Sequence, residues 1–453
     1  MVNLLTSFVR LLPNRVSGLI NSRTLGVAAA FSAKVASAGL AFLFSVMLAR
    51  LLGSTGTGVY FLALTIVSIG ATIARMGLDN AVLRFASVAN EQSDRPTLAA
   101  LYRQGIGLVV IAGVGISFLV WLTVPYLPLG GDRSDDLQAI LPVMLFALVP
   151  TALILLQGEY FKAVGAPGMA TIVQAVLLQA LLVMGAIALY WLGDVTVHDI
   201  AFLYVTAAMV SVLLAGAIWS HHMPGLWRKP GRFDTRLLLR TSLPLLWVAS
   251  MNLVMGWTDI LVLGVWADSA TVGVYGVATR IATLTAFILV AVNSVAAPRF
   301  AAMHAQEDHK GLERLAQRSA GWMLLAVLPI ILLLLLSPEW ILGFFGTDFV
   351  GGASLLRVLA LGQLVNVAMG SVGYLLMMTG HERLMRNNII FSALVNLVGN
   401  LLLVPTFGAM GAAVSTAFSL ALMNLTSFIL VKKKLGINTM GYFFRRADSC
   451  GSQ

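Results

Sequence analysis

Lys34, Asp259 and Arg280 are ionisable residues set inside long runs that are otherwise apolar. A charge near the centre of a bilayer costs at least about 2.5–3.5 kcal/mol, so each must face a partner or a wet cavity. Lys34 lies roughly 15 Å into the first run at the helical rise. Its ammonium can face a wet cavity and attract an anionic group, or it can snorkel to the interface or pair with a helix end. Asp259 and Arg280 flank a short turn near residue 268. In an antiparallel hairpin their depths differ by only about 5 Å. An ion pair locking the hairpin is therefore expected, with a coupling-ion or substrate site as the alternative.

Arg75 and Asp79 stand one helical turn apart, and Arg84 follows. They form either a snorkelling interfacial pair or a basic mouth that gathers an anionic headgroup. Arg50 and Arg357 are expected to anchor the opposite rim. Asn252, Asn293, Asn366 and Asn396 can line a polar cavity and bind the hydroxyls of a ligand, although hydrogen bonding between helices is the commoner role of such residues in a membrane.

These residues need helices to position them in lipid. Of 453 residues, 59% are hydrophobic and 11% charged, against roughly 25% charged in an ordinary soluble domain. A soluble fold of this composition would expose far more apolar surface than water tolerates. A spanning helix takes roughly 20 apolar residues, and the spacing predicts about twelve: 25–49, 57–79, 104–126, 137–158, 168–192 and 199–220, then 241–265, 271–297, 319–337, 353–378, 387–405 and 409–431. Pro405-Thr406-Phe407-Gly408 is expected to break the last uncharged stretch in two. Residues 1–24 read as a basic amphipathic segment lying on the membrane, or as a frayed tail.

With the N-terminus placed inside, 23 of the 29 Lys and Arg residues fall in inside segments. Only Arg50, Arg133 and Arg357 fall outside, and Lys34, Arg75 and Arg280 lie within spans. That bias puts both termini in the cytoplasm, and it accounts for the net charge of +10 without nucleic acid. The sequence also repeats. Gly58-Val59-Tyr60 and Arg84-Phe85-Ala86 recur as Gly273-Val274-Tyr275 and Arg299-Phe300-Ala301, 215 residues later, and the same offset carries Gly165 onto Gly380. Six spans per repeat return the chain to its starting side, so the repeats are parallel. The expected fold is an all-α integral membrane protein of two six-helix lobes, 25–220 and 237–431. A basic linker, 221–236, joins them, and a basic tail, 432–453, follows.

Ala49-Arg50-Leu51-Leu52-Gly53, Gly77-Leu78, Leu83-Arg84-Phe85, Thr258-Asp259-Ile260-Leu261-Val262-Leu263-Gly264, Thr379-Gly380-His381-Glu382-Arg383 and Phe407-Gly408-Ala409-Met410-Gly411 carry a resemblance. Over residues 25–435 the chain resembles the polysaccharide biosynthesis flippases of the multidrug/oligosaccharidyl-lipid/polysaccharide exporter superfamily. The resemblance implies two bundles around a central cavity that opens alternately to each side of the bacterial inner membrane. It implies a substrate, an oligosaccharide linked to undecaprenyl diphosphate, with membrane lipids and the pathway's polysaccharide polymerase and export proteins as partners. Lys34, Arg280, Asp259, Arg75, Arg84 and Asn252 are the candidate cavity residues.

No phosphate-binding loop of the Gly-x-x-x-x-Gly-Lys-Ser/Thr type occurs, and neither a cofactor nor a metal is expected. The single cysteine, Cys450, rules out an intramolecular disulfide and a cysteine metal cluster. His221-His222 lacks a nearby carboxylate. Asp135 and Asp136 are the foothold of the rival enzymatic reading, a membrane polymerase or transferase of the same pathway. A drug exporter of the superfamily is the other rival, and it would place acids in the cavity.

Overall fold

The structure, a computed structural model, describes residues 22–123, 126 and 134–441. Among these residues there is no strand. Lipid leaves backbone amides no outside partner, so the helix is the form in which a span satisfies itself. Eight helices are long and apolar enough to cross a membrane, or nine if the pair Asp135–Leu145 and Leu148–Ala163, bent by 47°, counts as one.

Glycines set the breaks. Helix α1 runs Ser22–Ala74 with one non-helical residue, Gly53, at φ 65°. The expected spans 25–49 and 57–79 are therefore two helices that meet at a single residue with no loop between them, folded back so that the rings of Phe44 and Tyr60 touch. Only glycine takes that φ at no steric cost. The second of the two ends before Gly77, and a separate helix, α2, covers Leu78–Glu91. Spacing alone did not separate α2. Next come α3 (Arg95–Thr123), α4 (Ser134–Leu145) and α5 (Leu148–Ala163); the last two replace the single span expected over 137–158. Asp94 accepts a hydrogen bond from the Thr97 backbone N–H at 3.0 Å, which caps α3. Its hydrogen bonds with Thr97 hold the carboxyl below its ordinary range. Helix α6 spans Pro167–Leu192 with a π-helical turn at Ile172–Val176, and α7 spans Val197–His222.

The second half repeats the plan with α8 (Thr235–Trp266), α9 (Ser269–Leu284), α10 (Ala286–Ala305) and α11 (His309–Leu336). Then follow α12 (Pro338–Gly343), α13 (Ala353–Ala368), α14 (Val372–Met378) and α15 (Glu382–Leu435). Gly370, at φ 75°, divides the expected span 353–378. Gly408, at φ 55°, breaks α15, while Pro405 stays helical. The sequence-based expectation named the right tetrapeptide, but the glycine is its breaking residue.

The basic loops gather at one end of the molecule. Exposed aromatics mark the helix termini at the other: Trp121 on α3, Tyr190 and Trp191 on α6, Trp266 on α8 and Trp340 on α12. Such residues favour the membrane–water interface. The largest buried cluster joins both halves of the chain at this aromatic end, from Phe44 and Tyr60 to Tyr275, Phe345 and Phe349, and extends through the first half to Tyr102, Trp219 and Leu226. At the basic end the second half keeps a separate cluster around Phe300, Leu312, Val372 and Leu375.

The seam between the halves is reciprocal. A Cβ on Gly58 would strike the Ser269 carbonyl and the Gly273 amide. One on Gly273 would strike the Ser54 carbonyl and the Gly58 amide. Both pairs, Ser54 with Ser269 and Gly58 with Gly273, are separated by the repeat offset of 215. A local two-fold axis therefore passes between α1 and α9. Helix α8 belongs to both halves. Near its start, Ser242, Leu245 and Leu246 press on Gly77, and near its end Asp259 bonds to α15.

Candidate functional site

Between the halves lies a cavity of about 350 Å³, lined by α1, α6, α7, α8, α9 and α10. Arg280 is its cation. The guanidinium sits 3.7 Å from the centroid of the Phe61 ring and donates to Ser45 Oγ at 3.3 Å. Both partners belong to α1, so Arg280 reaches from α9 across the seam. Ring stacking and one hydroxyl leave most of its five N–H donors for an incoming anion. Ser68, Gln179, Tyr60 and Tyr204 add polar groups, and Phe42, Trp257, Phe287 and Phe345 add apolar wall. No carboxylate is among the residues that line it.

Lys34 is exposed. It precedes the lining residues Ala38, Ala41 and Ser45 by four, seven and eleven positions, spacings that share one helix face. The ammonium thus lies on the cavity stripe of α1, roughly 16 Å from Ser45 toward the basic end.

The expected ion pair between Asp259 and Arg280 does not form. Asp259 turns into the second half instead. Its carboxylate accepts from Tyr275 OH at 2.6 Å, Thr416 Oγ1 at 2.8 Å and Asn400 Nδ2 at 3.4 Å. Depth along the two helices suggested the pair, but the side chains leave their helices on different faces. Arg75 is occupied locally, with Asp79, Thr72 Oγ1 at 3.1 Å and the Ala71 carbonyl at 3.4 Å. Arg84 is exposed on α2 over the Phe85 ring. Neither lines the cavity. The side chain of Asn252 lies outside the described residues, as do residues 1–21 of the expected amphipathic segment and Cys450.

Asn293 accepts from Ser371, Asn366 donates to Gln363 and Asn396 donates to Thr416 and Ser419. These are bonds among protein side chains, the commoner role. Arg50 donates to the Phe344 carbonyl at 2.7 Å and Arg357 pairs with Glu339 at 2.8 Å, so both fasten the aromatic end. Sequence reasoning missed Tyr60, Phe61, Gln179 and Tyr204. Apolar spacing gives no sign of which aromatic faces a cavity.

An all-helical membrane protein with a cationic, acid-free cavity between two repeated halves is built as a transporter. The sequence pattern of the polysaccharide biosynthesis protein family matches residues 24–304, more than half of the chain, which therefore belongs to that family. The MatE pattern matches residues 244–402. A probable low-salt glycan biosynthesis flippase of Haloferax volcanii, Agl15, is 26% identical over 419 residues, covering 89% of this chain and 83% of the relative. An inward-facing multidrug resistance MATE transporter of the MOP superfamily shares the fold at TM-score 0.71 and 15% identity, over 88% of this chain and 94% of its own. The lipid II flippase MurJ, in an inward closed conformation, does so at TM-score 0.70 and 13% identity, over 91% of this chain and 90% of its own. The chain is a multi-pass membrane protein of the polysaccharide biosynthesis family, with a fold like that of the MATE transporter and MurJ.

Proposed function

We propose that this chain carries a lipid-linked oligosaccharide, with undecaprenyl diphosphate as its carrier, from the cytoplasmic to the periplasmic leaflet of a bacterial inner membrane. The observation that carries the reading is Arg280 in a cavity without carboxylates. A diphosphate seeks such a guanidinium, and a cationic drug would be repelled by it. Aromatic walls suit sugar faces, and the lipid tail stays outside in the bilayer. Lys34, farther along the same stripe, draws the headgroup inward.

The reading takes twelve crossings in lobes 25–220 and 237–431, with the basic end cytoplasmic. One observation supports a cavity open to the cytoplasm: the halves are joined in one core at the aromatic end, while the second half keeps a core of its own at the basic end. Transport then proceeds by rocking the halves about the seam. Asp259 is the natural site for a coupling cation, because it is a buried acid with no cationic side-chain partner among the described residues.

Deleting the gene and assaying lipid-linked glycan by leaflet tests the reading. Complete units trapped on the cytoplasmic side are expected, and a normal leaflet distribution with unpolymerised glycan would overturn it. In proteoliposomes, Asp259→Asn is expected to abolish acceleration of flipping by a proton or sodium gradient while leaving slow gradient-independent flipping.

A further inference from the structure

Helix α15 carries Asn388, Ser392, Asn396 and Asn400 in its first half, four residues apart and therefore on one face. All four are buried, at 4%, 0%, 1% and 0% exposure. Their donors are taken up by neighbouring residues. Asn388 Nδ2 donates to the Met423 carbonyl and to Ser427 Oγ, both at 2.8 Å. Asn396 Nδ2 donates to Thr416 Oγ1 at 3.3 Å and to Ser419 Oγ at 3.2 Å. Asn400 Nδ2 donates to Asp259 Oδ1 at 3.4 Å and to the Asn396 carbonyl at 2.9 Å. The acceptors are idle: Asn388 Oδ1, Ser392 Oγ, Asn396 Oδ1 and Asn400 Oδ1 are buried without a hydrogen-bond partner.

Leaving one buried acceptor unpaired costs about 1–3 kcal/mol, and native proteins rarely keep such groups without a use. Four in a row span roughly 18 Å, from near the basic end of α15 up to the Asp259 carboxylate.

Holding the helices together does not require this ladder, and the protein contains its own control. The offset of 215 keeps register across the region. Gly165 and Gly380 share a left-handed backbone, φ 81° and 78°, and Gly193 and Gly408 both have positive φ. At the four ladder positions the first half carries Val173, Leu177, Leu181 and Gly185, and opposite Asp259 it carries Phe44. At those positions the first-half pair packs with apolar side chains, and its unpartnered buried oxygens, Gln179 Oε1 and Ser211 Oγ, stand singly on two different helices, so the four-step row of the second half serves something else.

We infer that the seam between the two halves of α15 is a hydrated track by which a monovalent cation, a proton or sodium, passes between the cytoplasmic face and Asp259. The idle oxygens replace part of the ion's water shell at each step, and the carboxylate is the terminus. Tyr275 is the other titratable group on Asp259. The inference rests on the coupling role proposed for Asp259 and adds the route.

Silver ion is a suitable probe: a small monovalent cation that blocks thiols. In full-length protein with Cys450→Ser, Ser392→Cys is exposed to silver nitrate in inside-out vesicles. Remaining thiols are then counted with a fluorescent maleimide after denaturation. Blocking is expected to be about tenfold or more faster than in Leu177→Cys, its counterpart in the first half, and adding Asn388→Leu is expected to slow it about tenfold. Ser419→Cys, on the facing half of α15, repeats the test if Ser392→Cys is poorly produced. Relative to the control, slowing by sodium nitrate at fixed pH identifies sodium as the cargo, and slowing by acid alone identifies the proton. Equal rates at the two positions, or indifference to Asn388→Leu, would overturn the track. The Asp259→Asn gradient assay fails or succeeds independently, so a wrong route and a wrong coupling site are told apart.

Discussion

Arg280 is held by a ring face and one hydroxyl, so its charge is positioned without being neutralised. A salt bridge would have fixed the guanidinium equally well, but would have cancelled the attraction on which anion capture depends. Hydrogen bonds to charged groups contribute about 1.5–3 kcal/mol, which is roughly ten- to a hundredfold in binding. Arg280→Ala is therefore expected to weaken binding of a lipid diphosphate to the purified protein by that range. Arg280→Lys should restore part of it, since the point charge survives while the bidentate fork and ring stacking do not. Equal loss in both would argue that Arg280 packs Phe61 and nothing more. The sequence made the charge and its depth legible, because a lone arginine in an apolar run stands out. It did not reveal the direction in which the side chain leaves its helix. That direction depends on which face meets a neighbour, and in lipid nearly every face is apolar. The missed pairing of Asp259 is the same failure, and so are the missed Tyr60 and Tyr204. The ladder on α15 was legible in principle: four polar residues at helical spacing stand in a hydrophobic run.

At the level of elements, glycine works in two ways. Gly53 and Gly408 end one rod and start the next within a single residue, so no loop must be fed through the interface. Gly58 and Gly273 instead let two backbones touch. Adding atoms at such a contact typically costs about 1–3 kcal/mol, and here the obstacle is main chain, which cannot swing aside. Gly58→Val is expected to lower the melting temperature and the flipping rate together, whereas Gly39→Ala, with open space around it, should change neither. A silent Gly58→Val would show that the seam opens at little cost. Hydropathy located the rods well, because burial in lipid dictates their length. It blurred their ends, because a break needs one φ angle and leaves composition unchanged, as at Gly53 and Gly370.

Across the whole molecule, the connection between halves is a strap fastened to one of them. Arg103 donates to the carbonyls of Trp227 and Lys229 at 2.9 and 2.8 Å, Gln104 donates to the Phe233 carbonyl at 2.8 Å, and Trp227 meets the Tyr102 ring. Rocking must therefore be taken up beyond Asp234, along α8. Arg103→Ala should free the strap, and trypsin cleavage between residues 228 and 232 in inside-out vesicles is expected to speed up about tenfold. An unchanged rate would place the hinge within the strap.

The reciprocal seam has one more consequence. A surface that meets its own equivalent about a two-fold axis is the interface of a symmetric homodimer. A single chain of half this length bearing the residues of this seam would pair with its own copy through it. In that arrangement every substitution appears twice, and an acid at the position of Phe44 and Asp259 would load both subunits alike. Covalent fusion releases the copies from that constraint: one keeps the aromatic residue and the other carries the acid and its asparagines. Division of labour between the halves follows from their being joined in one gene product.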